Sequence, residues 1–266
     1  TDVNTLAYLG GTATIKADAI TVQAVLSRGD FSASATSGAN GSNFGVAGAL
    51  AINVGTTRTE ANVAKGASVS LEADTVTFSA RSVSVNVAKA QPKEDARGGA
   101  LGLGASVAVN VATNTTRAEI ADGATLGAAG AGIGNLTFGA VGTHGMPTEA
   151  KGGAAADDGV AIAPVVGLAI SNNSTVARLG APGGAILNVN GSLEINAAHT
   201  SNVATSAEGA ALGRGAVGAA LALTVAADEA LAATARDITA GGGVTLGASS
   251  ATSSRSRAKA SAKGAQ

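Results

Sequence analysis

The chain has 266 residues, a formal net charge of −1, 13% charged and 45% hydrophobic residues, only 2% aromatics and no cysteine. So few cations and stacking rings argue against binding along a nucleic-acid backbone. The missing thiols exclude a disulfide scaffold and a thiolate metal site.

With 38 Gly and only four Phe, the core must be filled mainly by Ala and Val. Such an interior has to bring backbones close together, which suits thin stacked sheets better than a rounded core. No run reaches the roughly 18 apolar residues of a membrane span without several Gly, Ser, Thr or Asn. The opening TDVNTLAYLGG lacks the basic start and apolar stretch of a secretory leader. Regular alternation of Val, Ile and Leu with small or polar residues argues against disorder.

Taken in order, the chain repeats itself. TLAYLGGTATI at Ala7 returns as RTEANVAKGASV at Ala61, TRAEIADGATL at Ala118, TVARLGAPGGAIL at Ala177 and, more weakly, AATARDITAGGGV near Ala233, with spacings of 54, 57, 59 and 56 residues. Strands ending in alanine keep the same step: ITVQA at Ala24, VTFSA at Ala80, LTFGA at Ala140, LEINA at Ala197 and VTLGA at Ala248. A third marker, AINV, AVNV, AISN and ALTV, starts at Ala51, Ala108, Ala169 and Ala222. Markers in step predict a repeat array divided as 1–44, 45–98, 99–158, 159–215 and 216–266.

Each repeat reads as strands. GVAGALAINV (45–54) is followed by TEANVAKGASVSL, which turns at Lys65-Gly66. TVTFSARSVSVNVAKA then alternates, with Val76 and Phe78 on one face of the first run and Val83, Val85 and Val87 on one face of the second. The repeats close in variable segments, TSGANGSNF, QPKEDARGG, KGGAAADDG and EGAALGRG, as solenoid loops do. The expected fold is all-β, a right-handed parallel β-solenoid (β-helix) of about five imperfect repeats. A 57-residue repeat fits two or three rungs of roughly 20 to 28 residues, so five three-rung repeats make a rod of roughly 70 Å. An antiparallel meander or β-prism is the competing geometry. Neither end looks like a polar cap, so neighbouring repeats of a longer chain are the expected partners. The basic stretch with Arg255, Arg257, Lys259 and Lys263 reads as a solvated face on the last strand and a loop, with an anion-binding patch as the alternative.

The segments ASVAVNVATNTTRAEIADGATL (105–126) and AINVGTTRTEANVAKGASVSLEADTVTFSA (51–80) resemble repeats of large bacterial filamentous-haemagglutinin-like and leukotoxin-type filamentous adhesins. Those are autotransporter or two-partner-secreted exoproteins. The resemblance covers nearly the whole chain, more weakly after about Ala220. It implies an extracellular, cell-surface β-helical stalk or fibre that mediates attachment or cell–cell contact.

The sharpest short motif is Arg28-Gly29-Asp30, which resembles the tripeptide that integrins read on matrix proteins and some adhesins; a chance tripeptide at a corner is the alternative. His144 and His199 follow their marker alanines by four and two residues, so they can approach one another on one side of the rod. Two histidines lack a third metal ligand, and exposed polar residues at a turn are the expected reading. Paired carboxylates occur at Glu94-Asp95 and Asp157-Asp158 without aromatic sugar platforms, and read as solvated loop charge. Neither a calcium-binding nonapeptide nor repeated Thr ladders are present. No cofactor, metal or catalytic residue is expected. The function expected is a non-enzymatic stalk segment of a secreted, surface-displayed adhesin-like protein. A self-associating fibre, sheath or surface-layer subunit is the alternative, and a β-helix carbohydrate enzyme the third reading. Host-cell, other-cell or matrix receptors and self-association are the candidate partners; nucleic acid and a membrane span are not.

Overall fold

The computed structural model describes residues 1–92, 95–183 and 186–264. Among them there is no helix, and every strand pairing is parallel, which removes the meander and β-prism alternatives. The chain is a parallel β-solenoid. Its first coil holds β1 (Asp2–Leu9), β2 (Thr12–Lys16) and β3 (Ala19–Ser37). The second holds β4 (Phe44–Val63), β5 (Ser68–Pro92) and β6 (Ala96–Gly98), and the third β7 (Leu101–Ile120) and β8 (Thr125–Ala156). The fourth holds β9 (Val160–Leu179), β10 (Leu187–Val189) and β11 (Leu193–Gly213), and the fifth β12 (Gly215–Thr234), β13 (Ile238–Ala240) and β14 (Val244–Gly264). One sheet stacks β1-β4-β7-β9-β12; a second stacks β14-β11-β8-β5 and ends on β2 and β3, with β6 paired to β8; and a two-stranded sheet pairs β10 with β13.

The repeat read from the sequence is one coil, not two or three. Ala61 stacks on Ala118 and Ala118 on Ala177, so a step of 57 or 59 residues advances one strand in the ladder. Strands of 20 residues are about 66 Å long at ~3.3 Å per residue, while five layers stack to only about 24 Å at ~4.8 Å each. The roughly 70 Å dimension therefore lies along the strands rather than along the stack. The segment is a broad ribbon, because each coil spends its residues on width.

Side-chain size sets the cross-section. Near the turn that joins the sheets, inward positions carry Leu71, Ile120, Leu126, Ile133, Leu136, Leu179 and Ile195, all buried. Phe78 and Phe138 stack here with ring centroids 4.8 Å apart and planes within 5°. Towards the opposite edge the inward residues shrink to Ala49, Ala51, Ala88, Ala90, Ala108 and Ala150, and then to glycine. A Cβ on Gly104 would strike the carbonyl of Gly153 in the facing sheet, and one on Gly102 would strike that of Ala155. The sheets touch backbone to backbone at these glycines, and beside them only alanines, Ala154, Ala156, Ala161, Ala163 and Ala211, pack between the sheets, so large residues have no room inside this edge.

They lie outside instead. In the first sheet the outward positions of β4 over this thin edge carry Phe44, Val46, Leu50, Ile52 and Val54, all exposed. Register sets Leu103, Val107, Val109 and Val111 of β7 beside them, then Val166, Leu168 and Ile170 of β9 and Leu221, Leu223 and Val225 of β12. In the second sheet, Val83, Val85 and Val87 likewise point outward, while Ser82, Ser84 and Asn86 are buried.

Three glycines, Gly11, Gly66 and Gly123, turn successive coils with φ of 69°, 73° and 76°, a conformation that side chains with Cβ avoid. Above them Arg236 is buried and donates to three carbonyls, from Nε to Gly180 (2.8 Å), Nη1 to Ala124 (3.2 Å) and Nη2 to Ala181 (3.3 Å). Burial lowers its pKa, but the guanidinium keeps its charge and ties three coils together at the corner. The basic residues Arg255, Arg257, Lys259 and Lys263 all lie within strand β14 rather than in a loop, and Lys259 pairs with Glu208 at 2.7 Å.

The thin edge generates a stability prediction. Gly104→Val forces a branched side chain into the facing backbone and is expected to lower unfolding free energy by about 3 kcal/mol. Gly139→Ala meets nothing within 4 Å and is expected to be neutral or slightly stabilising. Urea denaturation midpoints of the two variants check this; equal midpoints would mean the sheets are not in backbone contact.

Candidate functional site

Between the large apolar side chains and the glycine edge lies a band of buried polar residues. Parallel stacking puts like over like, and here it builds an amide ladder. Thr57 Oγ1 donates to Asn114 Oδ1 (2.8 Å), Asn114 Nδ2 to Asn173 Oδ1 (2.7 Å), and Asn173 Nδ2 to Asp228 Oδ1 (2.7 Å). A second column links Asn53 Nδ2 to Asn110 Oδ1 at 2.9 Å. Asn110 then reaches across the core and donates to the backbone carbonyl of Asn86 at 2.8 Å. The register explains why that carbonyl is free. In the ladder joining β5 to β8 it faces Pro147, which has no N–H to give.

Both histidines sit in this band. His144 and His199 are buried in mid-strand, not exposed at a turn, which corrects the sequence expectation. The physical reason is parity: inward positions run unbroken from Phe138 and Ala140 to His144, and from Ile195 and Ala197 to His199. They do approach one another, with ring centroids 5.6 Å apart. His144 Nδ1 is 2.8 Å from Ser84 Oγ. His199 lies between Thr175 Oγ1, 3.0 Å from Nδ1, and Asp228 Oδ1, 3.2 Å from Nε2. This Thr–His–Asp chain has the connectivity of a nucleophile relay, but its members lie between two packed sheets. None of them borders the outer groove described below, and Asp228 lies in β12 of the outermost coil. No group of three or more His, Cys, Asp or Glu able to hold a metal occurs among the described residues. The band therefore acts as a register key, since its hydrogen bonds close only when each coil is aligned.

Arg28-Gly29-Asp30 lies within β3 at a β-bulge and not at a corner. Leu26 pairs with Ser82 and Gly29 with Ser84, so Ser27 and Arg28 together oppose Val83. The extra residue switches the face parity, turning Gly29 inward and leaving Arg28 and Asp30 exposed on the outer layer. Their charges meet each other, with Arg28 Nε 2.5 Å from Asp30 Oδ2. Of the paired carboxylates, Asp157 and Asp158 are exposed in the loop before β9, with Arg214 3.7 Å from Asp158. Glu94 lies outside the described residues.

A feature that sequence reading missed is an ion-pair groove of about 400 Å³ on the outer surface near the turns, lined by Leu6, Tyr8, Arg58, Glu60, Glu119 and Arg178 among others. Arg58 grips Glu60 through Nε and Nη2, both at 2.7 Å. Arg178 reaches Glu119 at 2.6 Å and Asp122 at 3.1 Å, bridging two coils. The hydrogen bond to Glu60 raises the pKa of Arg58, and the amide of Ala181 with Arg178 lowers that of Asp122. Residues two apart in one strand share a face, so Arg-x-Glu in β4 is the signal that could have found Arg58–Glu60, whereas Arg178–Glu119 needs the register that sets the two residues opposite one another. Arg58, Arg178, Glu60, Glu119 and Asp122 are matched with one another, and the Arg178 bridge joins two coils along this seam.

The buried band carries a pH prediction. Burial, with the His199 ring alongside and only partial relief from Asp228, pushes the His144 imidazole down from 6.5 to about 4. The folded chain therefore stays unprotonated at this site while the unfolded chain gains a proton below about pH 6.5. Stability is complete above that value and falls as pH drops towards 4. At 1.36 kcal/mol per pH unit, lowering the pH from 6.5 to 5 is expected to cost about 2 kcal/mol. His144→Gln is expected to abolish that loss. Urea denaturation at pH 7 and pH 5 checks it; a loss that persists in the variant assigns the effect elsewhere.

No protein-family model, no curated protein and no solved structure matches this chain.

Proposed function

We propose that the chain is a non-enzymatic, structural segment of a secreted, surface-displayed bacterial adhesin-like protein, serving attachment or cell–cell contact. The observation that carries this reading is the in-register stacking of whole repeats, Ala24 on Ala80, Ala80 on Ala140, Ala140 on Ala197 and Ala197 on Ala248. Equivalent residues form continuous ladders across the stack, and the outermost strands present free edges to which further coils of the same kind can add. Small side chains, ion pairs on the surface and an interior ladder of amide hydrogen bonds suit a passive scaffold. With one coil per repeat the scaffold is a broad shaft. Such a shaft favours lateral surface over reach.

The reading does not rest on Arg28-Gly29-Asp30, whose two exposed charges pair with each other beside a bulge.

Two measurements test the reading. Antibodies raised against the chain are expected to label intact, unpermeabilised source cells, and deletion of these repeats is expected to reduce attachment several-fold; antigen confined to the cell interior would remove the proposal. Asp30→Glu is expected to leave attachment unchanged, and a several-fold loss would return the tripeptide to the binding surface.

A further inference from the structure

We propose that the apolar outer face of the first sheet is a self-association surface that takes a second copy of this chain, packed face to face with its strands antiparallel. This goes beyond the adhesin reading and does not depend on it.

The face is large and continuous. It spans six outward positions on each of β4, β7, β9 and β12, of which Phe44 is 67%, Leu50 60% and Leu221 57% exposed. At ~3.3 Å per residue and ~4.8 Å per strand it measures about 36 Å by 19 Å, or about 700 Å². Monomeric proteins rarely expose an apolar patch beyond 300–600 Å², roughly, while a standard stable interface takes about 800 Å² from each partner. The patch thus has the size of one half of a dimer. It also has the layout of one, an apolar centre between polar rims. The Arg58–Glu60 and Arg178–Glu119 pairs bound it towards the turns, and Asp158 and Arg214 towards the loops. The outer surface of the second sheet is not equivalent, since it carries Lys89, Glu149, Lys151, Thr200, Asn202 and Glu208.

Its relief is self-complementary. The third outward position is small or flat on all four strands, Gly48, Ala105, Pro164 and Ala219, and forms a furrow across them. The fourth row, Leu50, Val107, Val166 and Leu221, opens a band of large residues that continues through Ile52, Val109, Leu168 and Leu223. A two-fold axis parallel to the stack reverses strand direction and keeps each coil at its own level. Centred on the patch, it sets position three against position four, so the large fourth row of each copy lies over the furrow of the other. Both furrows are filled by one operation, as an isologous contact requires. A lipid surface is the less suited occupant, because the patch lacks the Trp and Tyr belt of membrane-seated sheets.

Sedimentation equilibrium of the purified chain tests this. The 25.0 kDa chain is expected to sediment at twice its mass at micromolar concentration. Leu50→Asp with Val166→Asp is expected to give a monomer with an unchanged circular dichroism spectrum, whereas Thr200→Asp on the opposite face is expected to stay dimeric. Gly48→Leu fills the furrow on a site where an added Cβ meets only ordinary contact, and is expected to weaken the dimer at least tenfold. In the cysteine-free chain, an oxidised mixture of Ala105→Cys and Val107→Cys chains is expected to cross-link more than either alone. A monomeric native chain overturns the proposal, whether it floats with phosphatidylcholine vesicles or stays free. So does a dimer that survives Leu50→Asp/Val166→Asp, which would assign association to strand edges.

Discussion

The close approach of two sheets governs this molecule. Where Gly102 and Gly104 face the carbonyls of Ala155 and Gly153, no side chain fits between the backbones. Everything large must then go to the turn side of the interior or to the outside. The first outcome gives the wedge of Leu, Ile and stacked Phe residues, whose burial supplies most of the hydrophobic stabilisation. The second gives the exposed aliphatic face over the thin edge. In an ordinary sandwich the alternating large residues mark the core. Here, along half of each coil, they mark the surface. The same constraint explains how a chain with 45% hydrophobic residues leaves so many of them outside, because its interior volume per residue is too small to hold them.

The polar band follows from the length of the coil. A strand of 20 residues that was apolar inside from end to end could slip by two positions at little cost, since Ala over Ala repeats every second residue. Asn114, Asn173 and Asp228 remove that freedom, because a slipped coil would leave amides without partners in a dry interior. His144 and His199 add to the same effect, and His144 does so at the cost of acid sensitivity. Asn110 does something more local by supplying the donor that Pro147 cannot. These groups hold the coils in phase more than they attract them, and the apolar wedge provides the attraction.

Much of the architecture was legible because parallel stacking copies sequence period directly into space. The alanines at 24, 80, 140, 197 and 248 recur at one step in the sequence, and they form one column in the sheet. The alignment slipped where alanines are crowded. Ala177 stacks on Ala232 rather than Ala233, and Ala108 pairs with Gly167 rather than Ala169. The number of coils per repeat was not legible, since a period fixes how often a pattern returns and leaves open how many turns lie between. The histidines are hard to place because their polarity points to a turn while strand parity puts them inside. The apolar face was hidden for a related reason. Alternation says that Leu50 and Ile52 share a face. Only the size of their alternating neighbours, Ala49 and Ala51, says which face can be inside.

Breadth has a consequence for how such a segment could work. A 57-residue coil adds only about 4.8 Å along the stack, whereas a coil of about 20 residues would use a third of the chain for the same advance. A protein under selection for reach alone would use the shorter coil. Long coils instead multiply lateral surface: β4, β7, β9 and β12 each add six outward positions to the apolar edge, and β4, β7 and β9 carry ion pairs at the other. Since layers repeat in register, any contact made by one layer is offered again by the next. Weak lateral contacts then add along the shaft as multivalent ones do, and two shafts held side by side would strengthen in proportion to the coils that they share. On this argument the width of the coil and the greasiness of its outer face are one property, imposed by an interior too thin to hide large side chains and suited to shafts that lie together.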